Sequence, residues 1–296
     1  MDFALTRSRK EIQKAVREFA RGEFAKEKII DLLRSATFPE DTRKKACELG
    51  FCSIHYPRNY GGGGLGLFEY VLAAEEMCRK DSSMGIAIML AGFGAECLYR
   101  FGKNPAAKQY LPALSSGKIR SAAAFSENME SGGISGVNSF AKTENKKLVI
   151  NGTKTCVANG KSAAFYVVLC RTGQEQDGSE KNLSLICIPS ESAGISVTPS
   201  GPTIGANLID FADVKFENVR VPKQNILGKP DCGLSHRLDF MDEARIQIAS
   251  MALGLAQGAF DRAAGYVKQR KQFGRKLASF QAIRHKLAEM YAEITA

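Results

Sequence analysis

A chain of 296 residues with 44% hydrophobic and 24% charged side chains is long enough for two or three packed units and has the profile of an ordinary globular protein. Three well-separated histidines (His55, His236, His285) and eight cysteines without C-x-x-C spacing exclude a zinc framework and a Ser-His-Asp site, and leave the thiols expected as free and buried. The net charge is +10, no apolar run reaches the eighteen or so residues of a membrane span, and Met1–Thr6 lacks a basic-then-apolar signal, so a cytoplasmic protein without a metal is expected.

The first third reads as helical. Ser8-Arg-Lys-Glu11 has capping-box spacing, and Ile12, Val16 and Phe19 form an apolar stripe after it. A second helix is expected from Asp41 to Leu49, a third from about Phe68 to Arg79, and a fourth from about Ser82 to Tyr99. The fourth is apolar almost all round and therefore central. Asn104-Pro105 is a cap followed by proline at the first helical position, opening a helix to about Leu114.

From about Lys118 the period changes. Lys147–Ile150 precedes Asn151-Gly152, a strong hairpin signal, and Phe165–Cys170, Leu183–Ile188, Gly194–Val197 and Asp213–Glu217 read as short strands. An antiparallel sheet ending near Gly228 follows. After Gly233 one long helix is expected from about Leu234 to Gln272, and another from near Ser279, where Ile283, Leu287, Met290 and Ile294 share a side. Two such helices are half a bundle and need further helices or another chain to cover them. The expected class is α+β, in three units: an all-α domain (1–117), an antiparallel β domain (118–229) and a partial helical bundle (230–296).

The charge is concentrated in the last unit. Asp261–Lys286 holds eight basic residues and one acid, a patch that suits an anion. No aromatic stacking platform accompanies it, so nucleic acid is not expected; a solvated basic face is the plain alternative. Gly61–Gly66 satisfies G-x-G-x-x-G, but Pro57 interrupts the run before it and no acidic residue follows at dinucleotide-binding distance, so it reads as a structural loop.

Six groups of residues carry a resemblance that spans nearly the whole chain. They are Phe3–Thr6, Pro57–Gly62, Asn151-Gly-Thr-Lys-Thr155 with Asn159-Gly160, Val219–Pro222 with Asn225–Gly228, Arg270-Lys-Gln-Phe-Gly274, and Phe280-Gln281. In order and spacing the chain resembles the FAD-dependent acyl-CoA dehydrogenases, cut short at its C-terminal side. The resemblance implies that Phe125 and Ser126 contact the flavin ring, Ser126 replacing the usual threonine. It sets Cys156, Val157 and Ala158 at the second flavin segment, where the family usually carries Trp and then Thr or Ser. Arg270, Gln272 and Phe273 would reach across a dimer interface to the FAD pyrophosphate, with Phe280 and Gln281 beside the adenosine. Asp242 and Arg245 match a D-x-x-R turn that holds the CoA end of the substrate, while Glu130–Gly136 departs from the family's substrate loop and lacks its Asp.

The implied reaction is α,β-dehydrogenation of an acyl-CoA thioester, with electrons passed to an electron-transfer flavoprotein and the enzyme assembled as a homodimer or tetramer. No catalytic base is assigned. Most members of the family carry it later than residue 296, and a minority just before the matched arginine, where this chain has Ala244. Glu243 is next door, but one residue turns a helix by about 100°. The expectations that follow are a dehydrogenase completed by further chain, a subunit whose partner supplies the base and completes the bundle, or a non-catalytic relative that binds CoA or a partner without turnover.

Overall fold

A computed structural model describes residues 4–101, 105–127, 137–172 and 182–296. Helix α1 (Arg7–Glu23) is capped by Thr6, whose hydroxyl accepts the Arg9 N–H at 3.4 Å, two residues before the expected Ser8. Val16 and Ala20 are buried, with Ile12 and Phe19 packed beside that core. Helix α2 (Lys26–Ser35) was not anticipated; it is short, and it ends on Ala36 in the left-handed region rather than on a glycine. Helix α3 (Glu40–Glu48) closes with paired bonds from Gly50 N–H to Cys47 O and from Phe51 N–H to Ala46 O. Helix α4 (Leu67–Lys80) starts where Glu69 accepts the Gly66 N–H at 3.0 Å.

The stretch expected as one central helix is broken. Helix α5 (Ser82–Met89) is capped by Asp81, a single 3₁₀ turn covers Leu90–Gly92, and α6 (Glu96–Arg100) follows. The break lies at Gly94, with φ of +92°; a Cβ there would stand 3.1 Å from the Ala123 backbone. The chain therefore bends to admit the first strand of the sheet. Ser82–Arg100 is apolar and long enough for a membrane span by composition, yet most of it is buried inside the protein, as a core segment would be. Helix α7 (Pro105–Ser115) completes the N-terminal layer.

The middle layer holds β1 (Arg120–Ala124), β2 (Phe140–Glu144), β3 (Lys147–Ala158), β4 (Ala163–Arg171), β5 (Leu183–Pro189), β6 (Ile195–Pro199), β7 (Phe211–Pro222) and β8 (Ile226–Leu227). The order is β6-β7-β3-β2-β4-β5-β8, with β1 paired to β4. Most ladders are antiparallel, as expected; β1 lies parallel to β4, and β2 touches β4 in parallel at Phe140 and Arg171. Asn151-Gly152 is not the turn. The β2–β3 hairpin reverses at Asn145-Lys146, both left-handed (φ 46° and 65°), as a type I′ turn requires. Asn151-Gly152 instead sits inside β3 at a register shift against β7, where the Asn218 N–H donates to Asn151 Oδ1 at 2.9 Å.

Helix α8 (Gly233–Gln269) is 37 residues long, about 55 Å, and packs along α4. It ends three residues before the expected Gln272, because a small hairpin follows: β9 (Lys271–Gln272) against β10 (Arg275–Lys276). Helix α9 (Gln281–Thr295) has no fully buried residue.

One asparagine fastens the sheet to the helical layer. Asn159 is fully buried, and its Nδ2 donates to Leu90 O at 2.9 Å and to Ser121 O at 3.0 Å. Asn159→Ala removes both bonds, the one to Ser121 being buried while the Leu90 carbonyl keeps the Phe93 N–H, and puts alanine at a φ of 60°. A loss of about 2 kcal/mol is expected, read as a lower denaturation midpoint at unchanged slope.

Candidate active site

The end of β1 meets α8 and the bulged half of β3. Phe125 is buried and packs edge-on against Phe240 of α8, ring centroids 5.7 Å apart, with the Arg237 guanidinium 5.9 Å from its centre. Ser126 is exposed, and its hydroxyl makes no hydrogen bond within the described residues. Its carbonyl accepts the Thr155 N–H at 2.9 Å, which draws β3 alongside. The register of β3 shifts between Lys154 and Val157, and Cys156 takes a left-handed φ of 51°, so its side chain is thrown outward. The Cys156 N–H is already used, donating to Asp213 Oδ1 at 3.0 Å. Val157 is core, and Ala158 packs on the apolar cluster that includes Leu208 and Ile209. Phe125 and Ser126 at the end of β1 and Cys156, Val157 and Ala158 on β3 are thus brought to neighbouring strands, with Val157 facing the core.

Asp242 and Arg245 lie on α8 just beyond Phe240, paired at 2.8 Å and both largely exposed. Glu243 points elsewhere: its carboxylate is ion-paired with Arg100 of α6. Ala244 is buried in the same apolar cluster as Phe240. Neither position presents a free carboxylate. Glu130–Gly136 lies outside the described residues.

Arg270, Gln272, Phe273, Phe280 and Gln281 form a second group at the far end of α8. The hairpin turns on Phe273-Gly274, both left-handed (φ 52° and 77°), which leaves the Phe273 ring 92% exposed. Phe280 lies 6.4 Å from Phe273, under the Arg275 guanidinium at 4.1 Å. Thirty residues of rise separate Phe240 from Arg270, about 45 Å. The two groups of one chain are farther apart than a single dinucleotide reaches.

Two carboxylates near this edge and behind it, one half-buried and one buried, escaped the sequence reading. Glu127 receives the Lys154 ammonium at 2.7 Å and the N–H groups of Asn138 and Ser139 at 2.7 and 3.0 Å. Burial pushes its carboxyl up, but the Lys154 charge and these bonds outweigh it and hold it below the ordinary range. Lys154 is fully buried, directly behind Phe125, whose carbonyl also accepts from it at 3.3 Å. A lysine turned inward on a strand needs such an acid, but nothing in the sequence shows which way Lys154 turns. Glu96 of α6 is buried, within 3.2 Å of His55 Nε2 and 3.3 Å of Gln247 Nε2; burial raises its carboxyl, and these contacts bring it below the ordinary value.

The first edge fits the rim of a flat heteroaromatic ring. It offers one unengaged hydroxyl at Ser126 and an exposed Cys156 with the half-buried Ala158 beyond it, though no indole and no second hydroxyl. A cavity of about 620 Å³ touches none of these groups; it opens at the opposite end of β1, beside Arg120, Phe38 and Asp210.

Helices, a mixed sheet and a second helical layer, with a strand end facing a long helix, make the frame in which this edge sits. Family models described as the N-terminal, middle and C-terminal domains of acyl-CoA dehydrogenase match residues 6–118, 122–219 and 231–296. A probable acyl-CoA dehydrogenase of Bacillus subtilis, YngJ, is 35% identical over 297 residues, covering 99% of this chain and 77% of the relative. A chain from the structure of the electron transferring flavoprotein of Acidaminococcus fermentans superposes with a TM-score of 0.91 at 32% identity, over 100% of this chain and 77% of that one. Butyryl-CoA dehydrogenase from Megasphaera elsdenii gives 0.90 at 26%, over 100% and 78%. The chain belongs to the acyl-CoA dehydrogenase family, FAD-dependent oxidoreductases that act on CH–CH bonds.

Proposed function

We propose that this chain dehydrogenates an acyl-CoA thioester between Cα and Cβ in an assembly of at least two copies, each lending one half of every FAD site. The separation along α8 carries this reading: Phe240, packed on Phe125, stands at one end and Arg270 about 45 Å along the helix. A second copy in antiparallel arrangement brings the exposed hairpin of one chain to the β1 edge of the other.

Bound FAD would supply the acceptor for the β-hydrogen, which leaves as hydride. The rest falls to side chains. Ser126 donates its hydroxyl to the ring edge, and Phe125 with Phe240 keeps water from the inner side. Arg270 suits pyrophosphate oxygens through its guanidinium fork, with Gln272 as a further polar contact and Phe280 and Gln281 beside the adenosine. Asp242 and Arg245 hold the polar end of the CoA. The base comes from outside these residues, because Ala244 has no carboxylate and Glu243 is committed to Arg100. Electrons leave to an electron-transfer flavoprotein.

A second reading rests on one observation. Cys156 has lost the indole and its N–H is taken by Asp213, while Ala158 has lost the hydroxyl. A relative that binds CoA or a partner chain without flavin would tolerate both. The absorption spectrum between 300 and 550 nm, before and after FAD is added, separates the two. The dehydrogenase reading expects a bound-flavin spectrum that Arg270→Ala weakens. A protein that stays colourless with excess FAD, alone and with its partner chain, sinks it.

A further inference from the structure

Away from the site, the outer ends of α1 and α4 meet the side of α8 around a cavity of about 160 Å³ lined entirely by charged residues: Arg17, Arg21, Glu76, Arg79, Lys80 and Asp261. Both carboxylates are already engaged. Glu76, 1% exposed, accepts two bonds from Arg17 at 2.8 and 2.6 Å, and Asp261 accepts Arg79 at 2.8 Å. Arg21 and Lys80 make no ion pair within the described residues. Four cations thus face two anions. Just outside the lining, Glu75 adds an acid and Arg262, which donates to Lys80 O at 3.1 Å, adds a cation, so the surplus of two positive charges stands.

We propose that this cavity is a binding site for a phosphate dianion, free or as a monoester. The buried Glu76 fixes the Arg17 guanidinium and Asp261 fixes that of Arg79, so two of the four cations are held in place before any ligand arrives. Arg21 and Lys80 supply the unpaired charge. A phosphomonoester carries three strong acceptor oxygens and close to two charges above a second pKa of about 6, which matches the surplus; free phosphate reaches the same charge at somewhat higher pH. The plain competitor is that Arg21, Arg79 and Lys80 only complement the C-terminal ends of α1 and α4 and keep chloride-like counterions at large. The proposal does not depend on the flavin reading, since none of these residues belongs to either group of the candidate site.

The test is calorimetric titration of the whole chain at pH 7.5 and fixed ionic strength with inorganic phosphate and, separately, glycerol phosphate. One saturable site per chain is expected, weakened at least tenfold by Arg21→Ala with Lys80→Ala, while Arg270→Ala leaves it in place. Both side chains are exposed, so the double variant should melt, without ligand, within a degree or two of the parent. Equal binding of the two probes identifies a site open to phosphomonoesters; phosphate alone binding identifies a site closed around the free ion. Heats that do not saturate, that sodium chloride reproduces, or that survive the double substitution and vanish with Arg270→Ala would overturn the proposal.

Discussion

Lys154→Met is expected to cost about 3–5 kcal/mol, among the largest losses from any single substitution in this chain. The lysine is fully buried, with Glu127 Oε1 at 2.7 Å and the Phe125 carbonyl at 3.3 Å. Methionine fills similar volume, so packing changes little. What remains is a half-buried carboxylate that, among the described residues, keeps the Asn138 and Ser139 N–H groups to offset its charge. The pH dependence gives the sign. The folded Glu127 carboxyl is held below its unfolded value, so its contribution is present above that value, about 4.3, and is lost as pH falls through the lower folded value. In the variant the lysine's pull is gone, and protonating Glu127 relieves the unpaired charge. The gap between parent and variant should therefore narrow as the solution is acidified from neutrality toward pH 4. Glu127→Gln added to Lys154→Met should recover part of the loss, because an amide needs no counter-charge. Urea denaturation at pH 7 and pH 4.5 reads all of this; a variant with the parent's midpoint at pH 7 would show that the pair carries nothing.

That pair also shows where sequence reading stops. The sequence placed only Lys147–Ile150 in a strand, ahead of an expected turn at Asn151-Gly152, and the resemblance set Cys156–Ala158 at the cofactor edge. Neither disclosed that Lys154 turns inward, because the partner acid lies 27 positions earlier in sequence. Periodicity served the long elements well: α4 and α8 fall within a few residues of expectation, their apolar stripes being several turns long. It failed where tertiary contacts overrule local preference. Ser82–Tyr99 reads as one helix by composition, and only the approach of Ala123 to Gly94 explains the break. Asn151-Gly152 has the composition of a turn, but Asn145-Lys146 took that role and left the pair to form a bulge against Asn218. Helix α2 went unnoticed because ten residues give too few repeats of the period. The resemblance already implied that Arg270 and Phe273 serve the FAD of a neighbouring copy; what it did not give is the separation, about 45 Å, which needed the length of α8.

The contact that holds α8 in place makes the second large prediction. Gly254 and Gly258 lie one turn apart on α8 and face the backbone of α4. A Cβ at Gly258 would stand 2.1 Å from the Arg79 carbonyl oxygen, and one at Gly254 would stand 2.2 Å from that of Glu75. Neither neighbour is a side-chain tip that could swing aside; both are main-chain atoms near the C-terminal end of a helix, so any side chain forces the two helices apart. Gly258→Val should cost about 3 kcal/mol, at the upper end of the usual overpacking range. Gly265 in the same helix has nothing within 4 Å of its would-be Cβ, and Gly265→Ala should instead stabilise by about 0.5–1 kcal/mol through helix propensity alone. Opposite signs from two glycines seven residues apart separate close packing from propensity. The effect reaches the site as well. Pushing α8 outward at Gly258 would draw on the Arg79–Asp261 pair first and, farther along the same rigid helix, on the Phe240–Phe125 contact that closes the β1 edge. Thermal melts of the two variants, with FAD titration of whichever folds, test both steps: if Gly258→Val melts with the parent, α8 does not rest on α4 as closely as described, and the support it gives to Phe125 must come from elsewhere.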